Sequence, residues 1–210
     1  MPVSRQPKTP LMSATPASIY PASLFTEQDI YLFKQGRHFH LYNKFGAHPM
    51  TKDGVQGTCF ALWAPNAKSV SVMGNFNGWN KTSHPLFVRW DHSGIWEGFV
   101  PGIHSGELYK FYIDSNASDY KTDKIDPFAF HFEEAPRTGC LVHDLSYDWA
   151  DRKWMTSRHR WNSLSAPMSI YEVHLGSWRR VIEENNRSLT YRELANYLVD
   201  YVKQMGFTHI

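Results

Sequence analysis

The chain has 210 residues, of which 42% are hydrophobic and 20% charged, and its net charge is +2. That hydrophobic share excludes a disordered polymer, and a near-neutral balance with no Lys/Arg run longer than two excludes the clustered basic face of a nucleic-acid binder. No stretch reaches the ~20 apolar residues of a membrane span, and no secretory signal is apparent at the N-terminus, so a cytoplasmic protein with no membrane partner is expected.

From Met1 to about Ala22 the sequence carries five prolines and little periodicity, which predicts a disordered tail over residues 1–25. Thr26 and Asp29 have the spacing of a capping box, with Phe25 and Ile30 as its hydrophobic staple. A helix is expected from Glu27 to about Gln35, stopping near Gly36, within a lead-in that covers residues 26–56. From Gly57 onward the texture changes to short runs rich in β-branched and aromatic residues. Thr58–Trp63, Ser69–Met73, Leu86–Trp90, Ile95–Val100 and Leu108–Asp114 read as strands, and turn-forming residues separate them. Five strands without intervening helices predict an immunoglobulin-like antiparallel β-sandwich over residues 57–145. Alternation points Phe60, Leu62, Val70, Val72, Phe99, Phe111 and Ile113 inward, and Trp63, in mid-strand, is also expected in the core.

Residues 146–168 read as a polar connector. Ser169–Leu175 then reads as a strand, Thr190 with Glu193 as a capping box, and Leu194, Leu198 and Val202 as the apolar stripe of a helix stopped by Gly206. Phe207–Ile210 opens another strand. Strand, helix, strand predicts a βαβ unit, and therefore a parallel sheet. Two strands and one helix cannot cover both faces of such a sheet, so residues 169–210 are expected to be an incomplete parallel α/β domain, with that apolar stripe short of neighbours.

Several candidate sites carry little chemistry. His38 and His40 have the spacing of two metal ligands on one strand face, but no third ligand accompanies them. Glu172 and His174 share a face of the expected barrel strand and read as an interior polar pair. Cys59 and Cys140 stand in no CxxC pattern and should be reduced thiols. No metal, cofactor or catalytic residue is expected. The aromatic share of 15%, with 8 Trp, mostly fills cores. Exposed Trp and Tyr rings can also serve as apolar platforms for sugars.

In chain order, Gly46-Ala47-His48-Pro49, Phe60-Ala61-Leu62-Trp63-Ala64-Pro65-Asn66-Ala67, Val72-Met73-Gly74-Asn75-Phe76-Asn77-Gly78-Trp79, Leu108-Tyr109-Lys110-Phe111 and Asp126-Pro127-Phe128-Ala129 resemble the glucan-binding sandwich of glycogen branching enzymes, members of the α-amylase family. Tyr171-Glu172-Val173-His174-Leu175-Gly176-Ser177-Trp178 and Gly206-Phe207-Thr208-His209-Ile210 resemble their first two barrel strands, which implies that residues 169–210 are the start of a truncated TIM (β/α)8 barrel. The resemblance covers the chain from about Asp29 onward. It implies an enzyme that cuts α-1,4-glucan and rejoins the segment as an α-1,6 branch with retention, using carboxylates on later barrel strands that are absent here. It also implies that Trp79 and Lys110 are carbohydrate-binding residues and that glycogen and amylose are the partners. Relatives of this sandwich place a second Trp shortly after that Lys, whereas this chain has Asp114-Ser115-Asn116-Ala117 and then Tyr120. The alternatives are a stand-alone glucan-binding module, against which the barrel-like residues after Ser169 speak, and a fragment of a debranching enzyme with the same sandwich. Oligomeric state is not legible.

Overall fold

The computed structural model describes residues 19–117 and 119–210, and the chain divides into two compact units between Ser146 and Tyr147. Most of the expected tail, residues 1–18, lies outside the described residues. Residues 19–25 do not behave as a tail. Tyr20 bridges antiparallel to Phe99, with backbone N–H···O distances of 2.9 and 2.8 Å, and Phe25 is buried.

Helix α1 spans Glu27–Lys34, and its capping box is formed as expected: Asp29 N–H donates to Thr26 Oγ1 at 3.2 Å, and Thr26 N–H to Asp29 Oδ2 at 2.8 Å. Asp29 also takes Lys44 and His38, each at 2.9 Å. Burial would raise its pKa, yet hydrogen bonds from the Thr26 N–H, Lys44 and His38 outweigh that and hold it well below the usual carboxylate range. His38 is therefore a partner of the helix cap, and His40 Nδ1 lies 3.0 Å from the Tyr42 hydroxyl.

The first unit carries strands β1 (Gly46–Lys52), β2 (Val55–Trp63), β3 (Ala67–Gly74), β4 (Phe87–Val88), β5 (Ile95–Pro101), β6 (Leu108–Ser115), β7 (Lys121–Lys124), β8 (His131–Phe132) and β9 (Cys140–Leu141). One antiparallel sheet has the order β1-β2-β5-β4; the other runs β3-β6-β9-β8, with β7 also on β6. This is the expected antiparallel sandwich, with more strands. The lead-in hides β1, which pairs along its whole length with β2, because a strand containing Pro49 scores poorly until its edge position is known. The expected strand Leu86–Trp90 contracts to two residues, since Leu86 N–H is bonded to Val70 across the sandwich while Arg89 N–H turns to Ile95.

Phe60, Leu62, Val70, Val72 and Phe111 fill the interface between the sheets, together with Trp96, Val100 and Tyr109. Ile113 is only partly buried against this cluster, and Phe99, expected to face inward, is buried on the opposite face of β5, in register with Cys59. A second cluster lies on the outer face of β2 and β5, where Phe25 and Ile30 of the α1 region cover Phe45, Ala61 and Ile95. Coverage on both faces explains why six successive residues of β5 are buried. It also corrects the reading of Trp63. With Phe60 and Leu62 facing in, Trp63 faces out, 57% exposed at the margin of α1. Its ring meets Phe33 edge-on at 6.0 Å and its indole N–H donates to Ser93 O at 3.0 Å.

Asp126 is fully buried between the sheets. Its Oδ2 accepts from the Tyr109 hydroxyl at 2.7 Å and its Oδ1 from Phe128 N–H at 2.8 Å, while its own N–H reaches Cys140 Sγ at 3.2 Å. Tyr109 stacks on Phe60 of the opposite sheet, ring centroids 5.2 Å apart. Cys59 and Cys140 are both free and buried, and burial pushes their thiols up to about 12 and about 11.

The second unit begins with helix α2 (Arg152–Trp161), in the span read as a connector. No residue of α2 is buried, and its sequence lacks the apolar periodicity from which a helix is recognised. The expected strand Ser169–Leu175 is reduced to one parallel bridge, Ile170 with His209, after which Leu175–Trp178 forms a single helical turn, α3. His174 stands at the N-terminal end of that turn with its Nδ1 2.8 Å from Ser177 Oγ, and both it and Glu172 are exposed. A hairpin of β10 (Arg180–Val181) and β11 (Arg187–Ser188) follows. Helix α4 spans Tyr191–Gln204 with the expected capping box of Thr190 and Glu193. Its stripe is covered, with Leu194, Leu198 and Val202 at 3%, 6% and 5% exposure, against the expectation that it lacked neighbours. Among the described residues no helix is long and apolar enough to cross a membrane.

Burial raises the Asp126 carboxyl to about 6, against the pull of its Tyr109 and Phe128 hydrogen bonds. A folded-state pKa above the unfolded one contributes stability that is complete at low pH and is lost as pH rises through about 6. Asp126→Asn keeps the shape without the charge. Its stability relative to the native chain should therefore rise by about 2 kcal/mol between pH 4 and pH 7, measured by urea unfolding at both pH values. A gap that is constant or shrinks over that range contradicts this assignment.

Candidate glucan-binding site

The loop leaving β3 is wound by its own side chains. Asn77 Oδ1 accepts the Gly74 N–H at 3.0 Å, and Asn77 Nδ2 donates back to Val72 O at 3.2 Å. Gly74 is required by close approach, since a Cβ there would lie 1.9 Å from Leu108 O. Gly78 and Trp79 both have a φ of +60°, and Trp79 N–H returns to Gly74 O at 2.8 Å. A left-handed tryptophan is uncommon and costs strain, so the loop holds this ring in a conformation that it would not choose alone.

Phe76, not Trp79, anchors the loop, because Phe76 packs against the interior cluster and lies edge-on to His84 at 5.5 Å. Trp79 remains 37% exposed, its indole N–H donated to Asn75 Oδ1 at 3.0 Å. Lys110 lies on β6 opposite Met73, one register step from Gly74. Its Nζ donates to Thr138 Oγ1 at 2.7 Å. Trp79 and Lys110 thus stand at the same end of the same sheet, each fixed by its own partner.

A groove of about 610 Å³ opens beside them, lined by Asn75, Leu108, His131, Phe132, Arg137 and Leu141 among others. Asn75 belongs to both, since the oxygen that takes the Trp79 indole is part of its wall. The hairpin of β8 and β9 that forms the far wall was not legible in the sequence, because each of its strands is two residues long. On the same side of β6, Lys81 sits 5.0 Å above the Tyr112 ring and pairs with Asp123 at 2.8 Å. Apolar rings beside fixed hydrogen-bonding groups suit a ligand with an apolar face and a polar edge. Among the described residues no group of three or more His, Cys, Asp or Glu is placed to hold a metal ion.

The side chain of Trp79 fills no cavity between the sheets, so Trp79→Ala should leave the fold standing. A core aromatic would cost about 3–5 kcal/mol; here a loss of under ~1.5 kcal/mol is expected from the truncated contacts and the indole hydrogen bond. Chemical denaturation of the variant checks this, and a core-sized loss would make Trp79 a structural anchor.

Comparison with known proteins bears on the same region. Residues 44–129 match the family model of carbohydrate-binding module 48, described as the isoamylase N-terminal domain. The chain is 51% identical over 188 residues to a protein of Aquifex aeolicus named 1,4-alpha-glucan branching enzyme GlgB, covering 90% of this chain and 30% of that protein. A namesake from Albidiferax ferrireducens is 51% identical over 185 residues, covering 88% of this chain and 29% of the relative. The chain thus spans about three-tenths of the length of these curated relatives. Among solved structures, a GBS pullulanase crystallised with maltotetraose matches with a TM-score of 0.49 and 17% identity, over 78% of this chain and 23% of the other.

Proposed function

We propose that this chain, which belongs with the N-terminal portions of the 1,4-alpha-glucan branching enzymes, holds α-glucan for an enzyme that cuts α-1,4 chains and rejoins them as α-1,6 branches. The observation that carries this reading is the identity of about half its residues to branching enzymes along nine-tenths of its length. The match to carbohydrate-binding module 48 supports a binding role for the sandwich. Trp79 and Lys110 are the proposed contacts, with Trp79 offering an apolar ring face and Lys110 a donor for sugar hydroxyls. The groove beside them gives a glucan chain room to continue.

The two elements have different tasks. A retaining glycosyl transfer needs a carboxylate nucleophile and an acid/base carboxylate about 5–5.5 Å apart, held in one cleft with their pKa values pushed apart. We place these residues on barrel strands that this sequence does not contain. Residues 169–210 would supply the first βαβ unit of that barrel, a reading supported by the parallel bridge of Ile170 with His209 on either side of α4. The sandwich would then raise the local concentration of glucan near the cleft, which gains affinity through effective concentration rather than new contacts. A cytoplasmic location accords with two free, buried thiols.

Two outcomes are expected. The purified chain should retard on a glycogen affinity gel, and Trp79→Ala or Lys110→Ala should reduce that retardation at least tenfold while the chain still melts cooperatively as a folded protein. The same chain should leave amylose unbranched by iodine spectrum, because the catalytic carboxylates are not among its residues. Undiminished retardation of both variants would remove the site, and branching by the pure chain would overturn the division of tasks.

A further inference from the structure

The turn that carries Trp79 holds two asparagines, and only one of them spends both ends of its amide within the loop. Asn77 Oδ1 accepts the Gly74 N–H, and its Nδ2 lies 3.2 Å from Val72 O, 3.3 Å from Asn80 O and 3.0 Å from Ser83 Oγ. Asn75 Oδ1 accepts the Trp79 indole N–H at 3.0 Å. An indole nitrogen only donates, so the Asn75 atom that faces it is the carbonyl oxygen, and the amide nitrogen is turned away. Among the described residues nothing accepts from Asn75 Nδ2.

Asn75 is exposed and forms part of the wall of the groove of about 610 Å³ beside Trp79. It therefore stands between the ring and the groove, with one end of its amide fixing the ring and the other open to a ligand. Trp79 has no donor left to give, because its single side-chain N–H goes to Asn75. The indole thus offers a ligand its ring face alone, and the polar group fixed beside that face is the Asn75 amide.

While exposed, that amide donates to solvent. A ligand laid across the ring and into the groove displaces the solvent, and a donor then left without an acceptor costs affinity. A ligand that carries an oxygen at this place restores the bond, whereas one of similar shape with a C–H there does not. The Asn75 amide therefore discriminates between a ring edged with hydroxyls and an apolar ring of the same size, which the indole face alone would accept equally.

We propose that Asn75 is a specificity-determining residue of the glucan site: its Oδ1 positions the Trp79 ring, and its Nδ2 donates to a hydroxyl oxygen of the sugar that passes from the ring into the groove. The ligand class rests on the proposed glucan-binding function; the double use of the Asn75 amide rests on the loop geometry.

The test is a titration of the full chain with maltoheptaose, followed by NMR on the Trp79 indole N–H, whose signal is assigned from its loss in Trp79→Phe. Asn75→Asp is isosteric with the native residue; it keeps an oxygen for the indole and removes both N–H donors. The indole N–H should remain slow to exchange with solvent in this variant, while maltoheptaose binds at least fivefold more weakly. Asn75→Ala removes both roles, so the indole N–H should exchange at least tenfold faster and binding should weaken further. A purely structural asparagine would weaken binding only where the indole is freed, and the aspartate variant separates the two cases. Native affinity in Asn75→Asp overturns the donor role, and unchanged indole exchange in Asn75→Ala overturns the positioning role. A folded native chain whose Trp79 signal does not move with maltoheptaose removes the glucan site itself, and this assignment with it.

Discussion

The fully buried carboxylate of Asp126 ties the sandwich together. It joins Tyr109 of β6, Phe128 beyond β7 and, through its backbone N–H, Cys140 of β9. Gly46 opens β1 in the other sheet with a φ of +102°, and a side chain there would meet Phe128 O at 3.0 Å and Asp126 Oδ2 at 3.5 Å, so the strand passes close to this carboxylate only as glycine. A buried ion of this kind is costly unless its oxygens are satisfied, and here both are. That demand for complete satisfaction makes the site intolerant of alternatives, so the ends of β1, β6 and β9 are held in one arrangement.

The placement of Trp79 and Lys110 follows from that arrangement. Because Tyr109 is fixed inward, the alternation of β6 sends Lys110 outward next to the end of β3. The loop that begins at Gly74 can then fold only where Leu108 O leaves room, and a side chain at position 74 would have none. Phe76 goes inward to seal the interior and Trp79 is left outside with strained backbone. The strain is sustained by the Asn77 hydrogen bonds within the loop and the Trp79 indole bond to Asn75. Local strain held by surrounding structure is a common property of ligand-contact residues. The candidate platform is thus a consequence of how the core closes, not an independent decoration.

The outer face of β2 and β5 is organised by different forces. Helix α1 covers Ala61 and Ile95 with apolar side chains, but its reach ends short of two polar or aromatic positions. At one margin Trp63 lies half in and half out. At the other the chain turns to a charged knot of Arg89, Asp91 and Glu97, each within 2.8 Å of its partner. A knot of this sort contributes little net stability once desolvation is counted. Its effect is to orient Glu97 and to hold Ser23, bringing the segment before α1 against β4.

Much of this was open to a reader of the residues. The caps of α1 and α4, four of the five strands expected in the sandwich, the inward set of Phe60, Leu62, Val70, Val72 and Phe111, and the sandwich architecture are local signals: capping chemistry, period-two alternation and turn residues act within a few positions. The order of motifs from Gly46 to Ile210 carried the kinship as well. What escaped depends on contacts between distant residues. Strand β1 contains Pro49 and becomes a strand only because β2 offers it an edge. The two-residue strands β8 and β9 have no periodicity to detect, yet they wall the groove beside Trp79. Trp63 lies at the end of a strand whose neighbours all face a core, and only the position of α1 decides which face is covered. Glu97 lies inside the expected strand Ile95–Val100 with nothing local to mark it; its burial arises where β4, β5 and the segment before α1 meet.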